Sequence, residues 1–386
     1  MATLPLYQTY VSFVNRSLRI CGLYPDTIHR SLSSRIIPPF WLLCYGIILY
    51  TVTTCLVQNV TDMSKVTAGL SGIIAIVNAI VKAFRFVTYR GELEHVNGVL
   101  ETVFEESSDR KPANSPAFRL MGSFYRLGYY QYVCLLFTSF VFVVRPLLAV
   151  RFRNANYSLP VPGVYPWTIN STPVYVIHYV IESHICWSLC VVTIGVDAFF
   201  TLCTFRISSV FKLLALEFEE LPKRPIDKEN RELTLRTCIR RHSTLIHCYD
   251  VIQEIYGPIV LVVALGNALS MCSMMFEVFQ SKEFTVGKII ATVIYLFGKL
   301  IQTFIYAWPG EVVATESDAF RCEVYCNDWY EHIDDPSAKF FLMILKQKPI
   351  VIRACSILEV SLDLFAKIIN RTISYYFLLV TLDDGS

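Results

Sequence analysis

Residues 174–205 form the longest apolar run of the chain, which reads VYVIHYVIESHICWSLCVVTIGVDAFFTLCTF. A helix needs about 20 apolar residues to cross the hydrocarbon core of a bilayer, which is about 30 Å thick. These residues number about 32, and at 1.5 Å per residue they span roughly 48 Å as a helix. The run therefore predicts a transmembrane helix, one end of which extends beyond the bilayer.

The rest of the chain repeats this pattern. Only 17% of the residues are charged and 54% are hydrophobic, whereas soluble domains carry about 25% charged residues. We therefore predict an all-α membrane protein with seven transmembrane helices. The other six spans are predicted at Phe40–Val57, Val66–Phe84, Leu127–Val144, Pro258–Phe279, Val286–Trp308 and Ile357–Leu382.

The lysines and arginines are distributed unequally between the two sides of these spans. The N-terminal segment and the loops 2–3, 4–5 and 6–7 hold 24 of them, whereas the remaining loops hold 4. Basic residues are enriched in cytoplasmic loops, so we predict a cytoplasmic N-terminus and an extracellular C-terminus. N-x-S/T glycosylation acceptors lie in the predicted external loops; they are Asn59, Asn156 and Asn170.

The long internal loops contain helical patterns. Within Arg231–Tyr256, apolar or aromatic residues recur at spacings of three and four, as on one face of a helix. Ala338–Leu345 is a second predicted helix, and Gly257-Pro258 predicts a kink or break before span 5. The stripes fit packing within one chain, and they also fit packing against a neighbouring subunit.

The chain lacks the common motifs of catalysis and cofactor binding. GxGxxG, GxxxxGK[ST], HExxH and GxSxG are all missing. Cys322, Cys326 and His332 have no second matched pair, which a zinc site would need. We therefore predict no enzyme and no cofactor. A net charge of +2 gives no support for a nucleic-acid partner.

Polar residues inside spans are costly and are candidates for function. His178 and Glu182 lie in the outer half of span 4, and two interpretations are open: they hydrogen-bond an amphiphilic ligand, or they are wet interfacial residues. Asp197 and Lys299 lie near the cytoplasmic ends of spans 4 and 6, where an ion pair between them is one interpretation.

A small-molecule site is typically apolar with a few polar groups. The outer halves of spans 2, 3, 4 and 6 have this composition, which ordinary lipid-facing and core residues share. The candidate ligand residues are Ile73, Val77, Thr138, Phe142, Tyr175, His178, Tyr179, Glu182, Thr292 and Tyr295.

The end of span 7 carries a hydroxyl among leucines, followed by two acidic residues. Apolar rings can gate a pore by dewetting, and acidic residues at a pore mouth attract cations. The alternative is a span that packs in the bundle and ends in an ordinary tail.

An ordered set of motifs from about Ile301 to Leu382 resembles the insect odorant receptors. The Tyr306-Ala-Trp-Pro-Gly310-Glu311 stretch is similar to the family's Tyr-x-x-x-Gly-Glu signature, and the external Tyr165-Pro166-Trp167 is similar to the family's 3–4 loop. The other matching stretches are Glu316-Ser317, Cys326-Asn-Asp-Trp329-Tyr330, Gln347-Lys348-Pro349, Ser361-Leu-Asp-Leu-Phe365 and Ser374-Tyr375.

The resemblance implies a tetrameric, ligand-gated, non-selective cation channel in the plasma membrane of olfactory sensory neurons. A variable subunit binds a small volatile odorant or pheromone among spans 2, 3, 4 and 6, and assembles with a shared odorant co-receptor. Leu378 and Leu382 match the gate positions, and Thr381 matches a pore-facing polar position. The co-receptor has a longer 4–5 loop and a Gln at this last position, so the chain resembles a tuning subunit.

The resemblance also implies how the chain is divided. Residues 1–205 contain spans 1–4 and most of the odorant pocket, and 258–308 contain spans 5 and 6. Residues 206–257 and 309–366 form a cytoplasmic anchor, and 367–386 form the pore-lining last helix and a short external tail. In this family the last element is split into a cytoplasmic and a membrane helix, here with an expected boundary near Lys367–Thr372.

Three other classes compete with this interpretation. Gustatory receptors of the same superfamily end in a Thr-Tyr-x5-Gln-Phe pattern, which is missing here. A secondary transporter predicts internal repeats, and no convincing repeat is found. A G-protein-coupled receptor requires an external N-terminus, opposite to the predicted orientation.

Overall fold

The computed structural model describes residues 3–26, 32–60, 63–108, 119–153, 158–169, 171–220, 228–280, 286–326, 338–347, 350–355 and 357–384. Almost all of these residues are helical. In chain order the elements are α1 (Thr3–Ile20), α2 (Leu32–Gln58), α3 (Met63–Thr88), α4 (Arg90–Ser108), α5 (Met121–Arg153), α6 (Thr172–Glu220), α7 (Lys228–Gln280), α8 (Val286–Cys326), α9 (Ala338–Leu345), β1 (Arg353–Ala354), β2 (Leu358–Glu359) and α10 (Leu362–Asp384).

The helix α6 is the centre of the bundle. Every residue from Val192 to Phe211 is buried, because α1, α3, α4, α5 and α8 all pack around this helix. The helix continues 15 residues past Phe205, which confirms that it is longer than a bilayer requires. A helix that is apolar on all sides is typical of such a buried position.

The predicted spans are helical, apart from the first residues of the last one. Five helices in the described part of the chain, α2, α3, α5, α6 and α7, are long and apolar enough to cross a membrane. Spans 6 and 7 fall on α8 and α10. Large apolar side chains on the outside of α2 and α5 are exposed, among them Leu43, Ile47 and Phe140, as lipid-facing residues are.

The cytoplasmic stripe is buried within the chain. Leu235 and Tyr249 of α7 belong to the core, and His242 packs edge-on against Phe211 with 5.9 Å between ring centroids. The predicted break at Gly257-Pro258 is wrong, because α7 continues through both residues. A Cβ atom at Gly257 would lie 3.2 Å from the Cys355 amide nitrogen, so this glycine allows the backbone of residues 353–355 to approach the helix.

The start of the last span also differs from the prediction. β1 and β2 pair antiparallel, with Arg353 opposite Glu359, and the hairpin occupies residues that the sequence assigned to a helix from Ile357. Cys355 has a φ of 51° in the tight connection, a conformation that ends helical geometry. The expected split near Lys367–Thr372 is not observed, since α10 is one continuous helix from Leu362 to Asp384.

Candidate functional site

The external segment 158–169 folds over the outer ends of α2 and α6. The amide of Val164 donates a hydrogen bond to the Thr51 carbonyl oxygen at 3.2 Å. A Cβ atom at the preceding Gly163 would lie 3.0 Å from Thr51 Oγ1, so a residue without a side chain permits this close approach. The segment is therefore fixed to the bundle through its backbone.

Glu182 holds the same segment from α6. Its side chain is only 1% exposed and accepts hydrogen bonds from the Tyr165 hydroxyl at 2.7 Å and the Val161 amide at 3.0 Å. Burial, and then the neighbouring Glu182 carboxylate, raise the pKa of Tyr165, so the phenol remains a protonated donor. Glu182 is thus an internal anchor of the loop rather than a wet interfacial residue.

The neighbouring candidate residues of α6 serve the same contact. The Trp167 indole donates to His178 Nε2 at 2.9 Å. The Tyr175 hydroxyl donates to the Ser158 carbonyl oxygen at 3.0 Å, and the Tyr179 hydroxyl to the Val143 carbonyl oxygen at 2.5 Å. The outer turn of α6 therefore connects the external segment to the end of α5.

Known contacts set the register between α6 and its two neighbours. Antiparallel α5 is linked to α6 by the Tyr179–Val143 bond and by Cys190 Sγ, 3.6 Å from the Leu135 carbonyl oxygen. Hence Thr138 and Ser139 lie opposite residues 183–187. The helices α6 and α8 run in the same direction with an offset of about 109 residues, as between Asp197 and Tyr306. Thr292 and Tyr295 are consequently level with residues 183 and 186.

Three buried hydroxyl groups occur at this depth, one on each helix. Ser139 Oγ on α5, Ser183 Oγ on α6 and Tyr295 Oη on α8 have no hydrogen-bond partner among the described residues. Thr292 is also buried, whereas Thr138 Oγ1 donates to its own helix at Cys134. Polar groups without partners are unfavourable in an apolar interior, so this layer of the bundle is suited to bind a polar group of a ligand.

Three sequence-predicted ligand residues lie apart from this layer. Phe142 is 45% exposed on the outer side of α5. Ile73 and Val77 are half-buried on α3, which packs against α2, α6 and α7. Sequence analysis missed Ser139 and Ser183, although both are hydroxyl residues inside predicted spans, which is the signal that would have identified them.

Below this layer a buried charge cluster joins four helices. Lys82 Nζ of α3 lies 2.5 Å from Asp197 Oδ1 of α6, and both side chains are fully buried. Gln131 of α5 donates to Asp197 Oδ2 at 2.5 Å, and the Tyr306 hydroxyl of α8 donates to Oδ1. The suggested Asp197–Lys299 pair is wrong. The one charged residue of span 2, Lys82, takes that place, and it could have been found as an intramembrane cation in need of a partner.

The Gly310-Glu311 motif connects α8 to the start of the last helix. A Cβ atom at Gly310 would lie 2.8 Å from the Val360 carbonyl oxygen, so only glycine fits without movement of the hairpin. Glu311 Oε2 accepts the Leu362 amide at 3.3 Å, and an acidic group is favourable at a helix N-terminus. These two residues fix where α10 begins.

The candidate gate residues Leu378, Thr381 and Leu382 lie on α10, and their spacing of three and four places them on one face of the helix. Of the glycosylation acceptors, Asn59 is half-buried at the end of α2 and its Nδ2 donates to the Cys55 carbonyl oxygen at 2.8 Å. Asn156 and Asn170 lie outside the described residues.

The bundle, its central buried helix and its outer polar layer define a polytopic helical receptor rather than an enzyme. The family model for the 7tm odorant receptor matches residues 59–373. The chain therefore belongs to the insect odorant receptor family.

Individual relatives agree with this assignment. Odorant receptor Or2 of Anopheles gambiae is 24% identical over 255 residues, which are 63% of this chain and 65% of that receptor. Odorant receptor 82a of Drosophila melanogaster is 20% identical over 317 residues, covering 79% and 81% of the two chains. The odorant receptor coreceptor of Aedes aegypti is 28% identical over 162 residues, covering 40% of this chain and 33% of the coreceptor. The match thus spans slightly less than two thirds of the Anopheles receptor.

Solved structures share the complete fold. The insect olfactory receptor OR5 from Machilis hrabei superposes with a TM-score of 0.77 at 14% sequence identity, covering 99% of this chain and 100% of that one. Its complex with eugenol superposes with a TM-score of 0.75 at the same identity and coverage.

Proposed function

We propose that this chain is the odorant-binding subunit of a ligand-gated, non-selective cation channel. It assembles with the odorant co-receptor as a heterotetramer in the plasma membrane of olfactory sensory neurons. Membership of the odorant receptor family and the matches to coreceptors support this proposal. The eugenol complex of the Machilis receptor supports a small volatile organic ligand.

The observation that carries the proposal is the layer of buried hydroxyl groups at Ser139, Ser183 and Tyr295. An odorant enters the outer half of the bundle, buries its apolar part between α5, α6 and α8, and accepts or donates one hydrogen bond in this layer. A ligand shifts a conformational equilibrium only by its difference in affinity for the two states. The odorant therefore binds the open state more tightly than the closed state.

The last helix transmits this difference to the pore. Leu378 and Leu382 form the apolar gate, and Thr381 lies beside them on the same face of α10. Asp383 and Asp384 follow and attract permeating cations. Because α8 carries both Tyr295 of the polar layer and Glu311, which bonds to the first turn of α10, a shift of α8 on ligand binding moves the last helix.

The chain is oriented with a cytoplasmic N-terminus and an extracellular C-terminus, and it crosses the membrane seven times. Its unequal distribution of basic residues supports this orientation. Asn59, Asn156 and Asn170 are then external and open to glycosylation. An N-terminal epitope tag tests the orientation: it is expected to stain only after permeabilisation, and staining on intact cells contradicts it.

Current recordings test the function as a whole. The chain is expressed with the co-receptor, without it, and the co-receptor alone, while a broad panel of volatile odorants is perfused. We expect a fast odorant-evoked cation current that requires both subunits. Current from this chain alone contradicts the requirement for a co-receptor. Failure of the whole panel, with surface expression confirmed, contradicts odorant gating.

A further inference from the structure

A groove of about 800 Å³ lies between α1 and α4, away from the odorant layer and the gate. One wall carries Arg16 and Arg19 of α1, and the other carries Glu101 and Glu105 of α4. Both arginines are exposed, and neither forms an ion pair with a described residue; Arg19 rests over the Tyr24 ring at 4.7 Å. The groove therefore presents cations and carboxylates on opposite sides.

The floor of the groove contains a buried cation. Arg206 of α6 is fully buried and donates through Nε to the Tyr7 hydroxyl at 2.9 Å. Its Nη2 lies 3.6 Å from Glu101 Oε1 and has no hydrogen-bond partner among the described residues. Since Tyr7 and Glu101 both line the groove, a buried N–H donor faces it.

The position of α1 along α6 places one end of the groove at the membrane. Tyr7 contacts Arg206, Tyr10 contacts Thr201, and a Cβ atom at Gly195 would lie 3.1 Å from Leu18. A span of about 20 residues that begins at Val174 ends close to Gly195. Arg16 and Arg19 are therefore at the inner membrane interface. Ile20, 61% exposed, closes that end of the groove with an apolar side chain.

These features match one class of amphiphile. Arginine binds phosphate oxygens through paired N–H groups, and a primary ammonium donates hydrogen bonds to carboxylates. An anionic headgroup would meet Glu101 and Glu105, and a trimethylammonium group has no N–H to donate to them. The acyl chains would extend past Ile20 into the bilayer. We propose that the groove between α1 and α4 binds the headgroup of phosphatidylethanolamine from the inner leaflet.

This site acts independently of odorant gating and is tested without current recordings. The purified full chain is titrated with phosphatidylethanolamine or phosphatidylglycerol in detergent, and bound lipid is counted by native mass spectrometry. We expect tighter binding of phosphatidylethanolamine. The double substitution Arg16→Gln/Arg19→Gln is expected to weaken that binding about tenfold, the loss expected for a charge-assisted hydrogen bond. The matched control Arg236→Gln/Arg240→Gln changes two exposed arginines of α7 and is expected to bind like the unmodified chain.

Further arms distinguish the alternatives. Glu105→Gln is expected to reduce the preference for phosphatidylethanolamine over phosphatidylglycerol. Arg16→Gln alone, and the thermal unfolding midpoint of each variant, separate lost binding from lost folding. Equal binding by the groove variants and the control overturns the site. Equal binding of both lipids by the unmodified chain overturns the zwitterionic assignment. Displacement of the lipid by an equal concentration of soluble phosphoethanolamine overturns a membrane source.

Discussion

Lys82 Nζ and Asp197 Oδ1 lie 2.5 Å apart, and neither side chain has any exposed surface. Their pairing ties α3 to α6 in the middle of the bundle, while Gln131 and Tyr306 satisfy the remaining capacity of the carboxylate from α5 and α8. A buried pair of this kind is costly to break, because the remaining charge then has no partner in a low-dielectric interior. The cluster therefore fixes the mutual register of four helices.

Breaking this pair on one side should destabilise the bundle. We expect Asp197→Asn or Lys82→Met to cost about 3–5 kcal/mol of stability, and Lys82→Met/Asp197→Leu to recover a large part of the loss. Thermal unfolding of the detergent-solubilised chain measures this. The exposed pair Arg236–Glu232 is the control, with an expected loss below about 1 kcal/mol for Arg236→Gln. Equal effects of both single substitutions and the control would show that the buried pair has no structural role.

The external loop should loosen when Tyr165 loses its hydroxyl. Tyr165→Phe leaves the buried Glu182 carboxylate with one donor fewer, at a cost of about 1–3 kcal/mol. Hydrogen exchange of the amides in 158–169 is expected to accelerate, while the transmembrane helices stay protected. Tyr129→Phe serves as the control because that side chain is exposed on α5. Unchanged exchange in the loop of Tyr165→Phe contradicts the anchoring role of Glu182.

Removal of the Tyr295 hydroxyl should change responses selectively. If that buried donor binds the polar group of an odorant, Tyr295→Phe raises the half-maximal concentration of oxygen-containing odorants about tenfold. Responses to hydrocarbon odorants stay the same, because the ring and its packing are kept. Dose–response currents of the complex with the co-receptor measure both effects. Tyr130→Phe, on the exposed side of α5, is the control; an equal shift for both odorant classes argues against a hydrogen bond at Tyr295.

Two glycines of α8 should respond in opposite ways to alanine. At Gly310 a methyl group meets the Val360 carbonyl oxygen, so Gly310→Ala is expected to cost about 1–3 kcal/mol. At Gly298 a Cβ atom meets nothing within 4 Å, and Gly298→Ala is expected to gain about 0.5–1 kcal/mol from reduced backbone freedom. Thermal unfolding and surface expression give the two signs. A neutral Gly310→Ala would falsify the close approach of α8 and the hairpin.

The gate assignment predicts leak from one face of α10. Leu382→Ala removes part of the apolar constriction, so the basal current of the co-expressed complex is expected to rise. Val380→Ala is the matched control, because position 380 lies on the opposite face of the helix from 378 and 382. Unchanged basal and evoked currents in Leu382→Ala, at normal surface expression, contradict the assignment.

The sequence by itself determined the helices and the family. Apolar length is a property of contiguous residues, so the spans around Phe40–Val57, Val66–Phe84 and 174–205 follow from the chain alone, as does the helix Ala338–Leu345. The motifs around Gly310-Glu311 led to the odorant receptor family, which the match over residues 59–373 confirms. The side-chain stripe of Arg231–Tyr256 likewise needed only the helical period.

Only the tertiary structure decided which residues meet. The partner of Asp197 is Lys82 rather than Lys299, because ion pairing depends on which helices are neighbours and on their register, and neither is encoded in local composition. The same holds for Gly257, where the docked backbone of residue 355 replaces the expected break, and for the hairpin that delays the last helix to Leu362. Glu182 became a loop anchor because the chain returns over α6 some twenty residues earlier in sequence, a contact between distant residues that hydrophobic patterning does not contain.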